Sequence, residues 1–415
     1  MKKLILGLVA VMVLFGAVVT FNNSHNAVKP AQAVAATAQP TATAQPTAAA
    51  QDAAPTPDVT AQPVPEVKSL DYDAIRALYP ADTAAITLED EVMNWDLYAD
   101  WLRTNGMQYE EYFKQMAAYY GIAADWTGSM GDGAGTTYAQ GLLRETNDTL
   151  SSFLAIQAFA KEKGLSLDKE ALKALEPEEM AHKILGEDAT VEQLQEELES
   201  KSHMSIPAFQ FYSKALDLYT LLYQELYGAQ GEKLSEDEIV KTLEDMGYVS
   251  AHHILFMTID PMTGKELEAD VIADKLKQAE DIVKELRAIE DPQARLQRFG
   301  ELKTEFCEDT GKQTYPDGYT YTPGTMVAAF EDSAQSLAAY EVSDPVQSNY
   351  GYHIIMRLPL TGDTMLFSSQ GTPQNARVAV AQQSITRDLD AYFAAHPPVY
   401  AEGLEDLDLT QYIEK

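Results

Sequence analysis

Two histidines stand on short β-branched runs, His253 in SAHHILFM (residues 250–257) and His353 in YGYHIIMR (residues 350–357). Between them lie an acidic turn around Asp309, the pair Met326 and Phe330, and Ser348 just ahead of the second run. Imidazoles within reach of a carboxylate and a hydroxyl can build a hydrogen-bond network in which each partner selects a tautomer. Metal chemistry is a poor fit, because neighbours such as His252 and His253 point to opposite faces of a strand. The single cysteine, Cys307, excludes an internal disulfide and a cysteine metal cluster, and reads as a free thiol. The GDGAG run at 131–135 lacks the Lys-Ser/Thr ending of a phosphate loop and reads as a plain loop. No metal and no cofactor is expected. Met326 and Phe330 are four apart, which predicts one helix face and, with Leu255, an apolar floor.

The elements that must position these groups read as a β-α-α-α-β succession. VSAHHILF is a strand, 266–289, 294–306 and 326–337 have helical apolar spacing, and 352–358 is a closing strand. Such an order is an α+β pattern.

Residues 248–359 resemble the parvulin family of peptidyl-prolyl cis/trans isomerases. His253 matches the family's first-strand histidine, and Asp309 in Cys307-Glu308-Asp309-Thr310-Gly311 stands where the family carries its catalytic Asp or Cys. Cys307 lies two positions too early for that role. The G-x-M-V-x-x-F-E element is Gly324 to Glu331, and the ending S-x-P-V-x-[TS]-x-[FY]-G-[YW]-H-[IL]-I is Ser343 to Ile355. The resemblance implies catalytic His253, Asp309, Ser348 and His353, with Leu255, Met326, Phe330 and Tyr350 binding substrate. It also implies an antiparallel sheet flanked by helices. Three departures bear on rate more than on fold. The usual G-G-D-L-G-W/F run is Tyr315 to Tyr321 and loses an apolar side chain near Gly318, a space Tyr319 or Tyr321 could fill. Gln335 replaces a common aromatic, and Tyr340 replaces a glycine where left-handed backbone suits only Gly. The loop after HILFM holds no arginine, so a phosphate-dependent preference is not expected.

The chemistry such a site must perform is modest. Rotation about an Xaa-Pro bond faces a barrier of about 18–20 kcal/mol, and a ~10⁵-fold acceleration needs only ~7 kcal/mol of preference for the twisted amide. Twisting removes resonance and carbonyl polarity, so an apolar pocket favours it over water. His253 and His353 are expected to face each other, with Ser348 bonding one ring and Asp309 beside the amide. No nucleophilic step is needed.

The rest of the chain frames this segment. Its 415 residues suggest two or three domains, with 46% hydrophobic and 23% charged residues. A net charge of −34 and a pI near 4.4 weigh against nucleic acid and anionic lipid surfaces. Residues 1–21 place Lys2 and Lys3 before an uncharged apolar run, a signal peptide or N-terminal membrane anchor that puts the remainder outside the cytoplasm. No cysteine follows that run, so a lipoprotein anchor is not expected. Residues 22–68, with TAQPTA repeats, read as a disordered Ala/Pro/Thr-rich linker.

Residues 69–247 read as helical, beginning with a helix that Thr87 precedes and that runs through Val92, Trp95, Tyr98, Ala99 and Leu102, and including an aromatic stripe along 209–227. A helical region ahead of residues 248–360 resembles the chaperone part of PrsA-like and SurA-like foldases. The expected architecture is therefore α+β: an N-terminal helical chaperone-like domain, a parvulin domain at 248–360, and a C-terminal helical tail at 361–415 packing back on the first domain. The function implied is isomerase and foldase activity on unfolded or proline-containing exported polypeptides. The alternative is a non-catalytic holdase with a degenerate parvulin domain, which the departures at Gly318, Gln335 and Tyr340 keep open.

Overall fold

The computed structural model describes residues 66–415 apart from 122–123, 133 and 368–372. The N-terminal apolar run and nearly all of the Ala/Pro/Thr-rich linker lie outside the described residues, as does Gly133 of GDGAG. Among the described residues no helix is long and apolar enough to cross a membrane. The chain divides into two compact units, one of residues up to Gln224 with Thr386–Lys415, the other Glu225–Ile385.

The first unit is mostly helical. It holds α1 (Tyr72–Arg76), β1 (Ala84–Leu88), β2 (Glu91–Asn94), α2 (Trp95–Tyr120), α3 (Tyr138–Glu162), α4 (Lys169–Ala174), α5 (Pro177–Leu185), α6 (Val191–Ser202) and most of α7 (Ile206–Tyr227). The expected start of the first helix, after Thr87 and including Val92, is corrected here: those two residues pair across a hairpin, and the helix starts only at Trp95. The apolar spacing ran from β2 into α2; the hairpin turns at Glu89, which takes a left-handed φ of 52°, and Asn94 caps α2 by accepting from the Leu97 N–H. The Thr190/Gln193 capping box is formed as its spacing predicts. On α7 the buried face runs through Phe209, Tyr212, Ala215, Leu218 and Leu222, with Leu216 exposed. The C-terminal tail returns to this unit: Val399–Tyr400 pairs antiparallel with β1, Tyr392 packs on Phe159 at 4.9 Å, and Tyr79 donates to the Glu402 carbonyl.

The second unit carries α8 (Glu236–Asp245), β3 (Val249–Met257), α9 (Ala269–Arg287), α10 (Pro292–Phe306), β4 (Tyr319–Tyr321), α11 (Ala328–Ser336), β5 (Val346–Gln347), β6 (Gly351–Leu358), β7 (Met365–Leu366), β8 (Gln374–Asn375) and the first half of α12 (Ala376–Ala395). Its sheet has the order β5-β6-β3-β4-β7-β8, antiparallel except for the parallel β4–β7 pair. The segment 362–376, part of the expected helical tail, thus supplies two short strands, β7 and β8, that widen the sheet.

Alternation along β3 and β6 separates two layers. Ile254, Phe256, Ile354 and Met356 pack with Ile282, Leu286, Phe299 and Leu302 of α9 and α10. Val249, Ala251 and Ile355 face the other way, toward Tyr319, Tyr321, Phe330 and Ala334. This second layer is where the site forms.

Candidate functional site

Register places the two histidines. His253 pairs with Ile355 and His353 with Leu255, so the two rings are diagonal neighbours on one face, their centroids 5.4 Å apart and edge to face. The expected facing pair is present as a ring contact. Ser348 meets His353, its Oγ lying 2.7 Å from Nε2. That hydroxyl also accepts the Tyr350 N–H at 3.1 Å.

Asp309 caps the 3₁₀ turn Thr310–Gln313 that follows α10. Its Oδ1 accepts the Gly311 N–H at 2.9 Å, and its Oδ2 accepts the Tyr319 O–H at 2.6 Å. The same Oδ2 lies 3.2 Å from His253 Nε2. This is a charge contact rather than an aligned hydrogen bond, since neither His253 nitrogen has a well-directed partner.

Burial alone would raise the Asp309 carboxyl, but His253, the Tyr319 hydroxyl and the Gly311 N–H hold it well below the ordinary carboxylate range. Burial disfavours the His253 cation, and the nearby Asp309 and Cys307 outweigh it, so His253 is raised. His353 goes the other way: burial, then repulsion from His253, holds it at about 3 and therefore neutral. One ring thus favours its cation beside a carboxylate while its neighbour stays uncharged.

The apolar floor has a different origin from the one its spacing suggests. α11 begins at Ala328 with Val327 as its N-cap, so Met326 is a loop residue and does not share a helix face with Phe330. The cause is Glu331. Its buried carboxylate accepts the backbone N–H groups of Gly324, Thr325 and Met326 at 2.9, 2.9 and 2.8 Å, and holds that loop in non-helical form at the start of α11. Met326 and Phe330 still meet at one cavity of about 400 Å³. Leu255, Asp309, Tyr350 and both histidines also line it, whereas Ser348 reaches it only through His353.

Phe367 and the Tyr319 ring complete the wall. Phe367 is one of the lining residues that sequence reading missed, with Met257, Pro261 and Val327. It follows β7, and its N–H donates to the Thr320 carbonyl at 2.6 Å; without the β4–β7 pairing nothing in its neighbourhood marks it. Of the two tyrosines considered for the space near Gly318, Tyr319 lines the cavity and Tyr321 does not; Gly318 itself has φ of 102° and could not carry a side chain, because a Cβ there would stand 2.7 Å from the Ala251 carbonyl oxygen. Cys307 is buried in the layer under α9 and α10, its Sγ 3.4 Å from the Leu255 amide.

On the opposite face of β3, His252 accepts from Lys303 Nζ at 3.3 Å, and Lys303 also donates to the Tyr315 and Pro316 carbonyls at 3.0 and 2.9 Å. The buried lysine ties β3 to the segment that leads into Tyr319. Among the described residues no group of three or more His, Cys, Asp or Glu is arranged to hold a metal ion. A mostly apolar cavity with the ionised Asp309 carboxylate at its edge can favour a less polar, twisted amide without bond making.

Residues 253–358 match the family model described as rotamase, PPIC-type PPIase domain. A foldase protein PrsA from Oceanobacillus iheyensis is 32% identical over 140 residues, 33% of this chain and 39% of that protein. Another foldase protein PrsA, from Geobacillus kaustophilus, is 31% identical over 139 residues, 32% of this chain and 50% of that protein. The chain therefore spans half or less of the length of these curated relatives. A crystal structure of Peptidylprolyl Isomerase (PrsA) from Bacillus cereus aligns over 70% of this chain and 99% of that one, at 21% identity and a TM-score of 0.28.

Proposed function

From a chain whose residues 253–358 belong to the PPIC-type peptidyl-prolyl isomerase family, we propose that the protein accelerates cis/trans rotation of Xaa-Pro bonds in unfolded, proline-containing exported polypeptides. It acts non-covalently and without phosphate dependence. The observation that carries this reading is the cavity itself: an apolar floor of Leu255, Met326 and Phe330 beside the ionised Asp309.

The prolyl ring sits on that floor, with Tyr350 at the rim. In the planar amide the carbonyl oxygen carries partial negative charge, and the Asp309 carboxylate makes that state less favourable. As the bond twists, resonance and charge on the oxygen fall, so the same carboxylate and the apolar walls disfavour the twisted form less. His253 holds Asp309 in place and is itself packed by His353, which Ser348 orients. Residues 69–224 together with 386–415 serve as a chaperone-like unit. The apolar run after Lys2 and Lys3 directs the chain out of the cytoplasm, as a removed signal or as an anchor.

A protease-coupled Xaa-Pro peptide assay on the full chain tests the reading. Catalysis in the wild type, with a loss of at least tenfold in Phe330→Ala, supports it; a wild type inactive at high concentration ends it. Mass spectrometry of the native N-terminus decides between signal and anchor.

A further inference from the structure

Tyr319 is more than filling for the space beside Gly318. Its ring is buried, lies parallel to the His253 ring at 5.5 Å and 6°, and packs against Phe367 at 5.4 Å. Its hydroxyl points at one atom, Asp309 Oδ2, at 2.6 Å. Gly311 makes that approach possible: a Cβ there would stand 2.0 Å from Tyr319 Oη, a separation no real contact allows. The N–H of that glycine holds the other carboxylate oxygen at 2.9 Å. The carboxylate is thus gripped on both oxygens while Oδ2 faces His253 at 3.2 Å. Asp309 sits on a short turn after α10, and the parallel Tyr319 and His253 rings form the surface against which it rests.

We infer that Tyr319 is a positioning residue of the proposed isomerase, its hydroxyl fixing the Asp309 carboxylate against His253 at the cavity edge in a space that Gly311 leaves open. The inference rests on the isomerase reading for its catalytic consequence and on the geometry alone for its structural one. A tyrosine serving only as core packing would tolerate loss of the hydroxyl, because the ring contacts survive in phenylalanine.

Tyr319→Phe, Asp309→Asn, Gly311→Ala and the double variants that add Tyr319→Phe to each of the other two are compared in the full chain, by peptide isomerisation and by the His253 ring ¹⁵N shifts. Tyr319→Phe should lower kcat/KM about tenfold, the scale of one hydrogen bond to a charged group, with the fold retained and a melting temperature lowered by only a few degrees. In the Asp309→Asn background it should change kcat/KM less than about twofold, because the partner is already gone. Gly311→Ala should lose about as much as Tyr319→Phe, and combining the two should cost little more. An equal drop with and without Asp309, or an unchanged kcat/KM in an active wild type, overturns the inference. The His253 shifts should move in Tyr319→Phe; unmoved shifts overturn it whether or not the wild type is active. An inactive wild type with moved shifts ends the isomerase reading and leaves the positioning geometry standing.

Discussion

His252 and His353 lie on opposite faces of the sheet, yet both are buried and held neutral at about 3, His252 by burial and then the Lys303 and His253 charges, His353 by burial and then His253. The unfolded chain returns both to about 6.5. Below that pH the unfolded state therefore binds protons that the folded state refuses, and stability falls as pH drops from about 6.5 toward 3. The slope is about 1.4 kcal/mol per pH unit for each histidine. His253, raised when folded, contributes stability already complete below about 6.5 and lost only above it, so it does not offset the acid slope. Urea unfolding at pH 7, 5.5 and 4.5 should show the loss, with a shallower slope in His353→Asn. Equal slopes would mean that His353 is not a buried neutral ring. The sequence already marked most of the side chains argued to act at the cavity: strand alternation separated His252 from His253, and the resemblance to the parvulin family moved attention from Cys307 to Asp309. What stayed hidden is which groups grip Asp309, because a contact between Gly311 and Tyr319 depends on how a turn folds against a strand.

The loop and helix around residues 324–336 show how far an element can be read from its residues. The four-residue spacing of Met326 and Phe330 fits a helix, and the structure still denies Met326 a place on it. Glu331 reaches back from the first turn of α11 to three successive backbone N–H groups, and no periodicity records such a bond. Similarly, Val92 falls in helical spacing with Trp95, Tyr98 and Leu102 although it lies on β2, since a short strand leading into a helix has no period of its own. The long strands β3 and β6 and the later helices were legible because alternation or apolar spacing is sustained there. The clamp yields its own prediction. Glu331→Gln keeps shape but replaces charged acceptors by one neutral oxygen and a donor facing N–H groups, and should cost about 2 kcal/mol in stability. It should also lower peptide kcat/KM, since Met326 is then free to leave the floor. Denaturant melts and kinetics on the same variant check both, and an unaffected kcat/KM would show that Met326 needs no such support. At the other wall, Phe367→Ala removes one side of the cavity without touching Asp309 or either histidine. It should raise KM several-fold with kcat nearly unchanged, whereas a fall confined to kcat would place Phe367 in the rate-determining chemistry instead.

At the scale of the whole molecule the dominant fact is charge, −34 over 415 residues. A field of that size acts over roughly 20–30 Å at low salt and under 10 Å near physiological ionic strength. The cavity is built on other terms: its floor is apolar, its Asp309 carboxylate is half-buried against His253 and Tyr319, and the Glu308 carboxylate at its lining is paired with Lys275. Long-range attraction and local turnover should therefore respond differently to salt. With a short neutral Xaa-Pro peptide, kcat/KM should stay within about twofold between 20 and 300 mM NaCl, because no net charge approaches the site. With a basic unfolded polypeptide the association rate should fall about tenfold over the same range, as steering is screened. An acidic unfolded polypeptide of equal length should bind faster as salt rises, because repulsion is what is being screened. Stopped-flow association measured beside peptide turnover separates these cases. If the basic and acidic polypeptides respond alike, the charge serves solubility alone and client capture is governed by apolar contact; if turnover of the neutral peptide falls steeply with salt, the cavity is more open to the surrounding field than its buried pair implies.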